Sequence, residues 1–342
     1  MEFSAQQIIP NLRHLTHSRT GFKGTMLEPS TLEQGCPLDN GRHDDVLDIS
    51  TSLGKLDALP VELLHMMLVD MDIRTLTTLR RTNRRIRLVI ETLREYRNAF
   101  THAPNSIRAT LSIKMDAFIS CRQLHEQLCS HECVNCGRFG AFFYVLTSSR
   151  VCYVCLVENP QFLPITPNHA GVIYGLEPSE IAKLPTAVSI PGRYSQNSVL
   201  RRTPQTLIDS TSARLLGIKV HGSVEKMDEY VSTQKAKKIT IYEAKLQSSR
   251  SNGARKPRQP AYTNVVDGKG RNPYRFMCAL RLPWLDRFSG KVEWGLNCSG
   301  CCDQFHYETN GTVDWRWLHT LNGYLVHVKQ CRESIKILES LA

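Results

Sequence analysis

Two Cys-x-x-Cys pairs, Cys133-Val134-Asn135-Cys136 and Cys152-Tyr153-Val154-Cys155, stand fifteen residues apart and constrain this chain more than any other feature. Two thiolates three positions apart can grip one ion from a tight turn. A second pair completes a tetrahedral all-sulfur shell, the preference of zinc. Gly137, directly after the first pair, can supply the positive φ that such a turn needs. The intervening Phe139 to Leu146 is strand-like, and Thr147 to Arg150 can turn. A hairpin there would bring the pairs together, so residues 131–157 are expected to form a zinc-ribbon-like unit. Four thiolates leave no open position for water, so the ion would be structural. Its binding energy would become folding energy, on the order of 10 kcal/mol or more in comparable peptides. A redox Cys-x-x-Cys would be expected beside a βαβ pattern, and none is visible.

Ten of the twelve cysteines fall in two neighbourhoods: 121, 129, 133, 136, 152 and 155, then 298, 301, 302 and 331. Such clustering in a reducing compartment reads as metal binding and not as disulfides. Cys121 and Cys129 belong to an expected amphipathic helix through Ile113, Ala117, Cys121, Leu124 and Leu128, which makes them core or edge residues. In the second neighbourhood, Cys298-Ser299-Gly300-Cys301 is a knuckle-like pair. Phe305 and Tyr307 alternate with polar residues, Asn310-Gly311 is a hairpin-turn signal, and Val313, Trp315 and Trp317 alternate on the return. A helix is expected from Leu318, with Leu321, Leu325, Val328, Ile335 and Leu338 as apolar positions. His327 and Cys331, four apart on it, share a face. Knuckle, hairpin and helix resemble a treble-clef site with Cys298, Cys301, His327 and Cys331 as ligands. Cys302, His306 and His319 are competing ligands. Two structural zinc ions are thus expected.

Ahead of these clusters, residues 55–98 carry three short helical patterns. Pro60 suits the first position of a helix. Leu63, Leu64, Met67, Leu68 and Met71 recur at helical spacing, Asp72 is a plausible N-cap for Ile73, Leu76 and Leu79, and a third pattern runs through Ile86, Val89, Ile90 and Leu93. Some forty residues cannot bury that much apolar surface alone. Either the rest of the chain or another protein must cover it.

This segment resembles an F-box, the adaptor-binding module of SCF ubiquitin ligases. The matching residues are Leu59-Pro60, Glu62-Leu63-Leu64, Leu68, Asp72, Leu76, Leu79-Arg80 and Asn83-Arg84; the tryptophan that often closes animal F-boxes is absent. The whole pattern of F-box, Cys-x-x-Cys-Gly unit and distal Trp294-Gly-Leu-x-Cys298-x-Gly-Cys301 with its His-x-x-x-Cys helix is similar to fungal F-box-domain proteins. The resemblance implies binding to the small acidic Skp adaptor, and through it cullin, by Leu59, Pro60, Leu63, Leu64, Leu68, Leu76 and Leu79. Arg80, Arg81 and Arg84 could meet acidic adaptor surface. The chain would hold an unknown protein target while its partners perform catalysis.

The fold class expected is α+β, with the F-box-like helices at 55–98, a linker helix at 99–130, the first cysteine unit at 131–157 and a C-terminal cysteine and histidine unit at 276–342. Residues 1–54 are expected to be disordered or loosely attached, 158–275 carry no motif, and 248–273 read as a mobile basic loop. The net charge of +11 is concentrated. Residues 74–97 carry eight arginines against two glutamates, and 214–258 carry eleven lysines or arginines against four acids. The second stretch admits an alternative, a zinc-stabilised nucleic-acid-binding protein. No aromatic interleaves Lys235 to Arg258 except Tyr242, and Ala254 to Arg258 could be a nuclear import signal. There is no P-loop, dinucleotide fingerprint, His-Glu-x-x-His or nucleophile elbow, so no enzyme is expected. No apolar run approaches the ~20 residues of a membrane helix, and no signal pattern opens the chain. The expectation is an intracellular protein, cytoplasmic or nuclear, with no membrane partner.

Overall fold

Asp72 starts a helix as its residue type predicts: its carboxylate accepts from the Thr75 N–H at 2.8 Å. Asn83 does the same for the next helix, accepting from Arg85 N–H at 2.7 Å. These caps lie in a computed structural model that describes residues 4–17, 26–36, 38, 52–194, 200–251, 255–258, 272, 274–307 and 316–341.

At the N-terminus, α1 (Ala5–Ile8), α2 (Leu12–Leu15) and α3 (Pro29–Gly35) are short helices. Then come α4 (Val61–Leu68), α5 (Ile73–Thr82), α6 (Arg84–Thr92) and α7 (Arg94–His102). Pro60 precedes α4 as its N-cap, one residue ahead of the expected position. Leu64, Leu68, Ile73, Leu76, Ile86, Val89, Ile90 and Leu93 are buried in a core continuous with the rest of the molecule. The three-helix segment is therefore not a separate body.

Of the helix expected over 113–128 only the second half forms, as α9 (Cys121–Cys129); α8 (Pro104–Ser112) ends before it, and 113–120 are non-helical. Ser120 and Gln123 form a capping box that starts α9 afresh. Lys114 turns the chain at φ 63°, and Ala117 is exposed. Cys121 is core, as expected.

The first cysteine unit is built on β1 (Phe142–Tyr144) and β2 (Ser149–Val151), paired antiparallel with Phe143 opposite Arg150. Val145–Thr147 form a 3-10 turn and Ser148 closes it in the left-handed region. Cys152 then caps α10 (Tyr153–Glu158). The central strand is β1, because β6 (Ala279–Arg281) pairs on its other side. Phe142, Phe143, Tyr144 and Val145 are wholly buried, which explains their uninterrupted apolar run. The expected boundary at 276 therefore cuts through one body: 279–281 complete the sheet of the first cysteine unit.

The unassigned middle forms its own small core. Strands β3 (Pro164–Ile165), β4 (Thr186–Val188) and β5 (Thr206–Asp209) make a sheet of order β3-β5-β4. Helices α11 (Pro167–Tyr174), α12 (Pro178–Ile181) and α13 (Ser210–His221) cover it, burying Ile165, Ala170, Ile181, Ile208 and Ala213. The following α14 (Val224–Ser251) is 28 residues long, and Met227 is its single buried residue among those described. The helix overruns the start of the loop expected at 248–273, most of which lies outside the described residues.

After α15 (Tyr274–Met277) and β6, β7 (Trp284–Leu285) pairs with β8 (Val292–Glu293). Strand β9 (Leu296–Asn297) leads into α16 (Ser299–Tyr307), β10 (Leu318–His319) pairs back with β9, and α17 (Leu321–Gln330) and α18 (Arg332–Leu341) close the chain. The hairpin expected through Phe305 and Tyr307 is corrected: both lie in α16, while Asn310-Gly311, Val313 and Trp315 fall outside the described residues. The one long C-terminal helix is corrected too, since it breaks at Cys331. The N-terminal segment is not loosely attached where it is described. Ile8 and Leu15 are fully buried in a second core with Tyr324, Val328, Leu338 and three of the C-terminal cysteines. Met26, Leu27 and Leu32 join the main core.

Candidate metal centres

Cys133 and Cys136 lie on a tight turn ahead of β1. Gly137 N–H donates to Cys133 O at 2.9 Å, and Gly137 sits at φ 70°, the conformation its lack of a Cβ allows. Cys152 and Cys155 approach from the other side, on the first turn of α10. The Cys155 N–H points at the Cys152 sulfur, 3.4 Å away. The order is thus knuckle, hairpin, helix N-terminus. The spacing predicts that order for the C-terminal unit and a ribbon of two knuckles here. The difference arises because Tyr153–Glu158 coil into a helix as soon as the hairpin ends.

All four sulfurs lie within 4.8 Å of one another. Metal–sulfur bonds of about 2.3 Å in a tetrahedron imply sulfur–sulfur edges near 3.8 Å; Cys136 and Cys152 are 3.7 Å apart. The Asn135 amide donates to the Cys155 sulfur at 3.2 Å. Thiols crowded this way share protons unequally. The Cys152 thiol holds Cys133 down to about 4 and is itself pushed up by Cys133, and burial pushes Cys155 up to about 11. A cation would replace those shared protons.

The second group joins Cys298, Cys301, His327 and Cys331, again within 4.8 Å. Cys298 follows β9, Cys301 lies in the first turn of α16, His327 is on α17, and Cys331 occupies the break before α18. The Cys331 sulfur is 3.7 Å from Cys298 and 3.8 Å from Cys301, and His327 Nε2 is 3.2 Å from the Cys301 sulfur. The Ser334 hydroxyl is 3.0 Å from the Cys298 sulfur, a contact that no spacing rule signals. Contact with Cys298 and then Cys331 pushes His327 up to about 9, while Cys298 holds Cys331 well below the ordinary thiol range and Cys301 well above it. Of the competing ligands, Cys302 stays outside the group, and the side chain of His306 is not among those described. His319 stays outside as well. Its ring stacks on His327 at 4.4 Å, and burial pushes it down to about 4. The two groups can hold two metal ions, and both are closed four-donor sets.

The residues expected to face an adaptor divide. Leu64, Leu68 and Leu76 are buried in the chain's own core, and Leu64 and Leu68 also line a groove beside α4. Leu59 and Leu79 are half-buried, Pro60 is exposed, and Leu63 is 45% exposed. Sequence spacing does not separate these faces, because α4 is apolar almost all round. Its outward side adds Met66 and Met67, neither of which the sequence marks as an adaptor contact; Leu63, Met66 and Met67 fall at i, i+3 and i+4. A groove of about 340 Å³ runs beside them, lined by Leu56, Met67, Met71 and Leu79 among others. Arg80 is turned inward, donating twice to Glu91 at 2.9 and 2.7 Å, so of the three arginines expected to meet a partner only Arg81 and Arg84 are exposed.

One arrangement has the composition of a nucleophile site: Cys129, His125 and Asn98. Its geometry is wrong for that chemistry, because the Asn98 amide and the Cys129 sulfur both address the same Nε2 of His125, at 3.1 and 3.4 Å. A base oriented by one ring nitrogen must keep the other for the nucleophile.

No helix among the described residues is long and apolar enough to cross a membrane. No family model, no curated protein and no solved structure matches the chain.

Proposed function

We propose that this chain is the substrate-recognition subunit of an SCF-type ubiquitin ligase, bound to the Skp adaptor through α4 and its flanks and stiffened by two structural zinc ions. The observation that supports it best is the outward row Leu63, Met66 and Met67, exposed by 45, 67 and 51%. Burial of a side chain of this size is worth roughly 1.5–3 kcal/mol when complete, so three neighbours on one face favour a partner. With Leu64 and Leu68 turned inward, α4 serves its own core and a second surface at once. The chain would position a target near the transfer machinery by raising its local concentration, with catalysis left to partners. Closed all-thiolate and three-thiolate, one-imidazole sets suit zinc.

Co-expression with the Skp adaptor tests this reading. The expected result is a stable complex on size exclusion that Leu63→Ala, Met66→Ala and Met67→Ala together weaken by about a hundredfold or more. Wild-type chain that folds, carries its metals and captures no adaptor rejects it. Leu64→Ala is a poor probe, since Leu64 is 7% exposed and its loss would act through folding.

A second reading, nucleic-acid binding, is favoured by α14, where Lys237 and Lys238 stand exposed on a helix with little buried surface. It requires retention on a nucleic-acid column that falls steeply with salt; no retention at low salt removes it.

A further inference from the structure

Between the two cysteine groups lies a groove of about 680 Å³, within the size range of ligand sites. One wall is the turn after the first knuckle, with Arg138 and Phe139; the other is Trp317 and Leu318 with the ends of α17 and α18, where Gln330 and Arg332 line it. Among the described residues no carboxylate lines this groove. Its two guanidiniums, Arg138 and Arg332, form no ion pair among the described residues. Arg74, Arg80 and Arg122, by comparison, pair with Asp116, Glu91 and Asp70.

Arg138 is also held in place. Its guanidinium lies over the Trp317 ring, 3.0 Å from the centroid. A guanidinium seated over an aromatic face is held there by cation–π attraction, and its N–H donors form a fork that matches a carboxylate. Beside it, the buried Phe139 and Leu318 and the half-buried Trp317 give the lining an apolar stretch, next to the polar His131, His319 and Thr320. Both walls are fixed by cysteine groups, through Cys133 and Cys136 on one side and Cys301, His327 and Cys331 on the other. The site therefore needs little ordering when a ligand enters.

We propose that this groove is the client-docking site and takes an acidic peptide segment: a carboxylate on the Arg138 fork, a second near Arg332, and an apolar side chain between them on Trp317 and Leu318. This rests on the reading of the chain as a substrate receptor and names the class of client it takes. An extended peptide is favoured over nucleic acid because the groove offers two arginines with the apolar Phe139, Trp317 and Leu318 in the same lining, whereas a phosphate track needs a row of cations.

The test uses the full metal-loaded chain and a fluorescein-labelled peptide Gly-Asp-Phe-Glu-Phe-Asp-Gly, read by anisotropy. Its Asn/Gln isostere and a short oligothymidylate serve as competitors. The acidic peptide is expected to bind about tenfold or more tighter than the isostere, and Arg138→Gln and Arg332→Gln each to lose about tenfold while keeping two metals per chain. Arg138→Lys retains the charge without the fork and is expected to fall between them. Equal binding of the isostere, no binding by wild type, tighter binding of oligothymidylate, or variants that bind like wild type would each overturn the proposal. The isostere comparison needs no variant, so a misfolded substitution leaves it decisive. Adaptor capture on the same samples separates the two readings. Adaptor bound without peptide removes the groove proposal alone; peptide bound without adaptor removes the ligase reading and leaves an acidic-peptide site.

Discussion

His125 shows how one buried side chain sets a pH response. It is 6% exposed on α9, and burial lowers its pKa from the ordinary 6.5. Below that ordinary value the unfolded chain takes up a proton that the folded chain resists, so stability falls as pH drops through 6.5 and is fully present above it. Gln in its place keeps an acceptor for the Asn98 amide and cannot charge. His125→Gln is therefore expected to flatten the fall of melting temperature below pH 6.5 relative to wild type, measured by thermal melts across pH; parallel curves would count against it. Gly300 shows a steric constraint of similar scale. A Cβ there would meet the Ser334 backbone N–H nitrogen at 2.6 Å, where α16 crosses α18. Ser334 in turn touches the Cys298 sulfur. Gly300→Ala is expected to destabilise by about 1–3 kcal/mol and to weaken metal retention at the second group, with the first group unaffected, as read by metal content per chain. Arg150 is the opposite kind of residue, a buried cation with no carboxylate partner among the described residues: it donates to the carbonyls of Gly140, Gln127, Leu282 and Pro283, which ties the hairpin to α9 and to the segment after β6.

At the scale of elements, α10 spans six residues, too short to persist in isolation, where helices under about 12 residues are marginal. Its first turn is held by Cys152 and Cys155. Removing metal with a strong chelator is expected to lose the far-UV helix signal of this element and the β1–β2 hairpin together, and acid should have the same effect because protons compete for the thiolates. A chelated chain with an unchanged spectrum and melting temperature would show that packing alone suffices. Both candidate ligand sets were legible in the sequence because Cys-x-x-Cys and His-x-x-x-Cys fix local geometry that needs no knowledge of the rest. Caps were legible for the same reason: Asp72 satisfies backbone donors three residues away. What was not legible depended on distant contacts. No spacing rule reveals the contact of Ser334 with Cys298, nor the partition of α4 into Leu64 and Leu68 inward and Leu63 outward. Periodicity over 113–128 misleads because apolar residues fall at helical spacing by coincidence, while Lys114 at positive φ and the Ser120 cap interrupt the helix.

At the scale of the whole molecule, the two ends of the chain meet. The Tyr324 hydroxyl donates to Leu15 O at 2.5 Å, and Thr16 bridges Cys298. Ile8 and Leu15 are both 0% exposed against Tyr324, Val328 and Leu338. No local pattern could reveal this, since the first residues carry no period and their partners lie some three hundred positions away. The second metal group is thus roofed by residues 5–16, and the first is not: its sheet is closed by β6 instead. Deleting residues 1–17 removes Ile8 and Leu15, whose burial is worth roughly 1.5–3 kcal/mol each, uncovers Tyr324, Val328 and Leu338, and leaves the Tyr324 hydroxyl without its acceptor. The expected outcome is selective. In a chelator titration the truncated chain should release one metal at a lower chelator concentration than the full chain, and the other at the same concentration. Release of both metals together would mean the two groups fold as one cooperative unit; release of neither earlier would mean the N-terminal helices lie on the C-terminal core without supporting it.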